Sequence, residues 1–316
     1  MTPPEDPGQQ VVVGGHRLTL RNLDKVLYPA TATTKGEVLA YYTGVAPAML
    51  AHLRDRPVTR KRWPDGVTGP SFFEKNLPNG TPDWVRRVRL PVPGSTMDRE
   101  TIVFPLLDDL AGLIWSVNLA SLELHVPQWT VAPVEPAAAS ADPPDGVVQH
   151  PNRLVIDLDP GAPAGLAECA QVALAVRERL TADGLDAFPV TSGGKGMQLY
   201  APISGEQDVE VVHGYAKRLA ESLEKAMPRL VVSRMAKNLR PGRVLLDWSQ
   251  NHSAKTTIAP YSLRGRDRPQ AAAPRRWSEL EAGTLTQLDH LTVSARLAAD
   301  GDLLAALLVA GPRLPE

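Results

Sequence analysis

An α/β (α+β) fold is predicted for this chain of 316 residues, and three observations predict it. Beyond residue 147, short apolar, β-branched runs alternate with long stretches of helical spacing, in the order β-α-β-β-α-β. Before residue 133, two further apolar stripes recur at helical spacing, with Pro- and Gly-rich segments between them. Between the two regions, Pro133 to Gly146 is rich in Pro, Ala, Ser and Asp and reads as an exposed linker, about 133–147.

Each element has its own signal. Met1 to Gln10 is polar and proline-bearing, so residues 1–10 are expected to form a tail. Lys35 to Leu50 reads as an amphipathic helix through Val38, Leu39, Tyr42, Val45, Ala46 and Met49, with Thr33 or Thr34 able to cap it. Leu110, Leu113, Ile114, Val117, Ser121 and Leu124 form a second helical stripe that would leave His125 at a helix C-terminus. These belong to an N-terminal part, about 11–132. After the linker, Leu154 to Leu158 reads as a buried strand, and Leu166 to Leu180 as a helix stopped by Gly184. Ala187 to Val190 and Met197 to Ile203 are the next strands, joined by Ser192-Gly193-Gly194-Lys195-Gly196. A long helix runs through Val211, Val212, Tyr215, Leu219, Leu223 and Met227. Val244 to Leu246 and Thr256 to Ile258 are expected to close the unit as a hairpin, within a catalytic part of about 148–270. A helical segment at about 275–305 and a tail at 306–316 complete the chain. The order fits a split βαβ, RNA-recognition-motif-like sheet, in which the first strand and the strand bearing Asp247 can lie side by side.

Composition excludes several classes. Hydrophobic residues make up 43% of the chain, yet no apolar run approaches the ~18 residues of a membrane span, and Met1 to Gln10 lacks the pattern of a signal peptide. No membrane partner is expected, and a cytoplasmic location is. The single cysteine, Cys169, falls on an apolar helical stripe and excludes a disulfide framework or zinc ribbon. The net charge of −1 argues against indiscriminate coating of nucleic acid. Basic residues nevertheless cluster at Arg54 to Arg62, Arg86 to Arg89, Arg234 to Arg243 and Arg264 to Arg276, which suits a phosphate-binding surface.

Three acids carry the chemistry. Asp157 and Asp159 stand two apart in an apolar run, so in a strand they point to one side, and Asp247 ends another such run. Clustered carboxylates are the hard oxygen ligands that a two-metal phosphoryl-transfer site needs, whereas Asp-x-Asp is also found in strand-end turns. The Ser192 to Gly196 turn offers backbone N–H groups, a hydroxyl and an ammonium to a phosphate, or is a glycine-rich hairpin turn. Arg240, Arg243 and Arg264 flank Asp247 in sequence and would suit a triphosphate, or are surface arginines. His125, Gln250 and Lys255 each have an ordinary structural reading as well. Phe72 and Phe73 stand together in a Pro/Gly-rich loop near Lys61, Arg62 and Lys75, which suits stacking on bases or a small satellite core.

Together these segments resemble the polymerase module of bacterial ligase D, a branch of the archaeo-eukaryotic primase superfamily, over about residues 11 to 305. Asn22-Leu23-Asp24-Lys25 with Tyr28-Pro29 resembles its opening signature. Thr59 to Pro64 and Phe72 to Asn76 resemble its DNA-facing loops, and Glu123-Leu124-His125 a further block. Asp157-Leu158-Asp159-Pro160, Ser192 to Gln198, and Asp247 to Asn251 resemble its three catalytic motifs, and Lys255 to Arg264 its closing motif. The resemblance implies one primase-polymerase catalytic domain, with an RNA-recognition-motif-like sheet packed against the N-terminal α/β part. It implies that Asp157, Asp159 and Asp247 hold two divalent ions, Mn²⁺ or Mg²⁺. His125, Ser192, Lys195, Gln198, Arg240, Gln250 and Arg264 would contact the incoming NTP or dNTP. Asn22, Lys25 and Lys35 would grip the 5′-phosphate of a downstream strand, and Lys61, Arg62, Phe72 and Phe73 would meet primer and template. The superfamily often has His where this chain has Gln198, which can donate a hydrogen bond but cannot carry charge.

The expected function is template-dependent DNA/RNA polymerisation, accepting or preferring ribonucleotides, at 5′-phosphorylated gaps in bacterial non-homologous end joining. The resemblance implies Ku and a separate ligase as partners and a place near the bacterial nucleoid. Alternatives are a standalone primase-polymerase in excision gap repair, a non-catalytic end-bridging protein, and a nuclease using the same acids. No ligase or histidine nuclease signature follows, so a separate gene product or an excised module is expected.

Overall fold

The computed structural model describes residues 7–92, 99–133 and 143–315. The chain divides into two units, the first made of Met1–His125, Val131–Val147 and Leu263–Pro269, the second of Val126–Thr130, Val148–Ser262 and Gln270–Glu316. A single division at the linker is therefore too simple, because short segments on both sides of it cross over. Most of the expected linker, residues 134–142, lies outside the described residues.

In the first unit, β1 (Gln9–Val13) pairs with β2 (His16–Leu20) around Gly14 and Gly15, both at positive φ as such a tight hairpin requires. This corrects the expected tail over residues 1–10: Gln9 and Gln10 pair with Leu20 and Thr19. The valines that follow them favour a strand, and the hairpin extends it backwards. Residues 1–6 lie outside the described residues. Helix α1 (Lys35–Leu53) is capped by Thr34, whose hydroxyl accepts from Glu37 N at 3.2 Å while Glu37 Oε2 accepts from Thr34 N at 2.7 Å. Strands β3 (Thr59–Arg62) and β4 (Phe72–Glu74) pair, and β5 (Arg87–Pro91) and β6 (Thr101–Pro105) form a separate hairpin. Helix α2 (Leu110–Asn118) is followed by strand β7 (Ser121–Val126), which pairs with β3. The expected helix through Leu124 thus stops early, at a turn where Ala120 has φ 59°. Every residue of β7 is buried, and a continuous apolar run has no period that separates strand from helix. His125 is a strand residue and owes nothing to a helix dipole.

In the second unit, β8 (Arg153–Pro160), α3 (Leu166–Ala182), β9 (Phe188–Thr191), β10 (Met197–Pro202) and α4 (Val209–Ala226) follow in the expected order. With β11 (Val231–Val232), β12 (Val244–Asp247) and β13 (Ala273–Pro274) they form a sheet of order β11-β12-β8-β10-β9-β13. Alternation divides its residues. Leu154, Ile156, Leu158, Met197, Leu199, Val244 and Leu246 join the core packed with Cys169, Val176, Val212 and Leu219 from α3 and α4. Val155, Asp157, Asp159, Gln198, Tyr200 and Asp247 belong to the opposite face.

Two expectations need correction here. Val244–Leu246 and Thr256–Ile258 do not form a hairpin; β12 runs between β8 and a parallel β11, and Thr257–Ile258 is not in this sheet. The reason is that both edges of β12 are taken, one by β8 and the other by β11, while the chain after β12 turns back to β8, where the Asn251 side chain donates to Val155 O at 2.7 Å and accepts from Val155 N at 3.0 Å. The C-terminal stretch is not a free tail either. Leu314 is buried in the core, and Gln207 holds its backbone at both ends, through Leu314 N at 2.7 Å and Leu314 O at 3.0 Å.

Candidate active site

Asp157 and Asp247 face each other directly in the antiparallel pair of β8 and β12, and Asp159 lies two residues on, opposite Leu245. The same-side rule for strands therefore brings all three carboxylates together, with potential ligand atoms within 4.8 Å of one another. The Asp-x-Asp segment is paired strand, not a strand-end turn. Asp157 and Asp247 are half-buried and Asp159 exposed. At that separation, with an effective dielectric of about 20, each pair of charges repels by roughly 3 kcal/mol. A cation relieves this, and a donor set of oxygens without His or Cys suits Mg²⁺ or Mn²⁺ rather than a softer metal. Asp247 is held from behind: Oδ1 accepts from Ser249 N at 3.1 Å and Ser249 Oγ at 2.5 Å, and Oδ2 from Gln250 Nε2 at 2.8 Å. Gln250 is thus a partner of the acid within a 3₁₀ turn, not a strand polar.

The other expected nucleotide contacts of this unit surround the same strands. Gln198 is directly opposite Asp157 across β10, and is buried. The Ser192–Gly196 turn closes on itself more than a phosphate cradle would. Ser192 N and Oγ both donate to Gly196 O at 3.1 and 2.9 Å, Gly194 N donates to Ser192 Oγ, and Gly193 N donates to Gln287 Oε1 at 2.7 Å. Lys195 remains exposed at its tip. Gly196 is required because a Cβ there would lie 2.0 Å from Leu158 O. Arg240 lies just beyond the end of β8, where a Cβ on Gly161 would lie 2.2 Å from Arg240 O, and its guanidinium donates to Met235 O at 2.7 Å. Lys255 follows in the loop after the 3₁₀ turn, its N–H donating to His252 O.

The first unit holds the remaining candidates in two groups. Around β3 and β7, Glu123 is the hub: it accepts from His125 Nε2 at 2.8 Å and Gly265 N at 3.0 Å, and pairs with Arg264 at 3.5 Å. Burial alone would raise its carboxyl, but His125, Arg264 and the Gly265 N–H together hold it down at about 2. His125 is shifted down, chiefly by burial, and its neutral ring donates to Glu123. Phe73 lies 6.0 Å from the His125 ring, with Lys61 Nζ 5.0 Å over its face. Phe72 and Phe73 are 55% and 66% exposed, which removes the satellite-core reading. Arg62 is largely engaged internally, by Glu74 and Leu119 O, and the fully buried Arg60 pairs with Glu74 at 2.6 Å. In the second group, Lys25 N donates to Asn22 O and Lys35 N to Lys25 O, so backbone bonds gather all three residues. Lys25 Nζ pairs with Asp65 at 3.0 Å and Lys35 Nζ donates to Arg21 O at 2.7 Å.

Sequence reasoning misses Glu123 as a hub, Ser249, and Tyr200. Ser249 had a signal, a polar residue two after the acid. Tyr200 had none, since it stands in an apolar strand.

Comparison with known proteins adds the family. A model of the family described as LigD, primase-polymerase domain, matches residues 34–304. The multifunctional non-homologous end joining protein LigD of Mycobacterium bovis is 49% identical over 291 residues, spanning 92% of this chain and 37% of that protein. The bifunctional non-homologous end joining protein LigD of Bacillus subtilis is 33% identical over 288 residues, 90% of this chain and 43% of that protein. The chain thus spans less than half the length of these relatives. A solved structure of the polymerase domain of Mycobacterium tuberculosis ligase D in complex with DNA is similar at a TM-score of 0.86 and 48% identity, covering 94% of this chain and 99% of that one.

Proposed function

The chain belongs to the family of LigD primase-polymerase domains, and on that premise we propose that it is a template-dependent nucleotidyl transferase. It fills gaps at 5′-phosphorylated DNA breaks in bacterial non-homologous end joining, accepting ribonucleotides as well as deoxyribonucleotides. The observation that carries this reading is the triad Asp157, Asp159 and Asp247, gathered on one sheet face within 4.8 Å. Two divalent cations, Mn²⁺ or Mg²⁺, held by these acids would supply activation of a primer hydroxyl and neutralisation of the triphosphate charge.

The chain's own residues do the rest. Ser249 and Gln250 fix both oxygens of Asp247, so its geometry is set before substrate arrives. Lys195, Arg240 and Gln198, with Ser192 shaping the turn, meet the nucleotide, as do His125 and Arg264. Phe72 and Phe73, with Lys61 between charge and ring, stack on bases, and Arg62 braces the strand that carries them. Asn22, Lys25 and Lys35 hold the 5′-phosphate. Ku and a separate ligase are the proposed partners.

Primer extension on gapped duplexes, with Mn²⁺ and ribo- or deoxyribonucleotides, tests the proposal. Extension is expected, faster when the gap carries a 5′-phosphate, and Asp157→Ala should remove it by at least about a thousandfold while leaving the fold intact. Shortening of the primer would point to a nuclease instead, and binding without extension to an end-bridging protein. Extension by the Asp157→Ala, Asp159→Ala protein would sink the mechanism.

A further inference from the structure

Five buried side chains of the second unit form one continuous hydrogen-bonded series that ends beside the acid triad. Arg153 Nε donates to Gln128 Oε1 at 2.9 Å, and Gln128 Nε2 donates to Thr257 Oγ1 at 2.8 Å. Thr257 Oγ1 lies 3.2 Å from Tyr200 Oη, which donates to Gln198 Oε1 at 2.8 Å. None of the five is more than 4% exposed. Arg153 also lies over the Tyr200 ring, 5.5 Å from its centre, and among the described residues no carboxylate pairs with it.

The series has a direction. A guanidinium offers only donors, so Gln128 must turn its carbonyl towards Arg153 and its NH₂ towards Thr257. Thr257 then has its own proton to offer Tyr200, and Tyr200 passes its single proton on. Gln198 Oε1, at 2.8 Å, lies nearer to that proton than Ile258 O at 3.2 Å. The far end favours the same arrangement. Gln198 faces Asp157 across the ladder, and three carboxylates repel an amide oxygen but attract an amide NH₂.

We propose that Tyr200 is a positioning residue: by engaging the Gln198 carbonyl, it makes Gln198 present its NH₂ group to a triphosphate oxygen of the nucleotide at the acid triad. The proposal rests on the polymerase reading and deepens it. It also gives Gln198 a physical role without charge. A fixed neutral donor serves an anionic ligand at every pH, and needs an external group to stop the amide from rotating. Arg153, buried and charged, anchors the far end of the series.

The test is nucleotide binding and turnover measured separately. Calorimetric titration of the Mn²⁺ complex of GTP into the intact protein reads affinity without requiring extension, so failure of the polymerase reading leaves this measurement interpretable. Tyr200→Phe removes only the hydroxyl. It should weaken the complex by about tenfold, the scale of one oriented hydrogen bond to a charged group, and raise the nucleotide KM in primer extension with kcat changed less than about twofold. Gln198→Ala should weaken binding at least as much, and Tyr200→Phe added to Gln198→Ala should have no further effect. Thr257→Val, which keeps the side-chain shape and breaks the series one link earlier, gives a second reading if Tyr200→Phe does not fold, with an expected loss of about threefold. Unchanged affinity in the folded hydroxyl variants, or losses that add in the double variant, would overturn the proposal. A kcat loss with KM unchanged would do so too, since it would mark Tyr200 as a support of the acids rather than of Gln198.

Discussion

Glu123 shows how much one buried side chain can organise. Its carboxylate receives His125, Arg264 and the Gly265 N–H, and these together outweigh the burial that would otherwise protonate it. Its folded-state value of about 2 lies below the ordinary 4.5, so the stabilisation is complete above the ordinary value and is lost as pH falls towards 2. Glu123→Gln should therefore cost a few kcal/mol at pH 7, and the variant's denaturation midpoint should vary less than that of the wild type between about pH 4.5 and 2. Equal acid sensitivity in the two proteins would refute this. The same residue scale explains Asp247, whose two oxygens are already committed to Ser249 and Gln250, so a cation meets an acid that does not need to reorganise.

At the scale of elements, β8 does two tasks by alternation. Its even-numbered residues Leu154, Ile156 and Leu158 enter the core, and its odd-numbered residues Val155, Asp157 and Asp159 form the other face. A slip of one residue against β12 would bury the acids and expose the leucines, so the register that makes the core also makes the site. Close backbone approach fixes the neighbouring turn. Gly196 packs against Leu158 O, and Gly196→Ala must push the two apart. This substitution should lower stability by about 2 kcal/mol and reduce extension at saturating Mn²⁺, because the strand that moves is the one carrying Asp157 and Asp159. Thermal unfolding and primer extension would check it. Wild-type values in both would mean that the turn moves alone.

At the scale of the whole molecule, segments distant in sequence complete the second unit. Leu314 fills the core shared by α3 and α4, and Gln207 holds its backbone. Leu314→Ala should cost about 2–4 kcal/mol in denaturant unfolding, and a variant ending before residue 309 should melt lower still. Unaltered unfolding would make the C-terminal stretch dispensable. The sequence by itself determined the helices α1, α3 and α4, the order of strands β8 to β10, and the acids of the site, because apolar period and motif spacing are local properties. For Phe72 and Phe73 the sequence left base stacking and a small satellite core both open, and only the structure, with the two rings 55% and 66% exposed on β4, removed the core. Tertiary structure alone decided the rest. Whether Ser121 to Val126 is helix or strand depends on its pairing with β3, and whether β12 meets a hairpin partner depends on β11 having taken its other edge. Hydrogen-bond partners far apart in the chain leave no period to read. For that reason Asp157 and Asp159 could be named from the sequence, and Ser249, two residues from Asp247, left a local signal, while Tyr200 and Arg153 could not be found there.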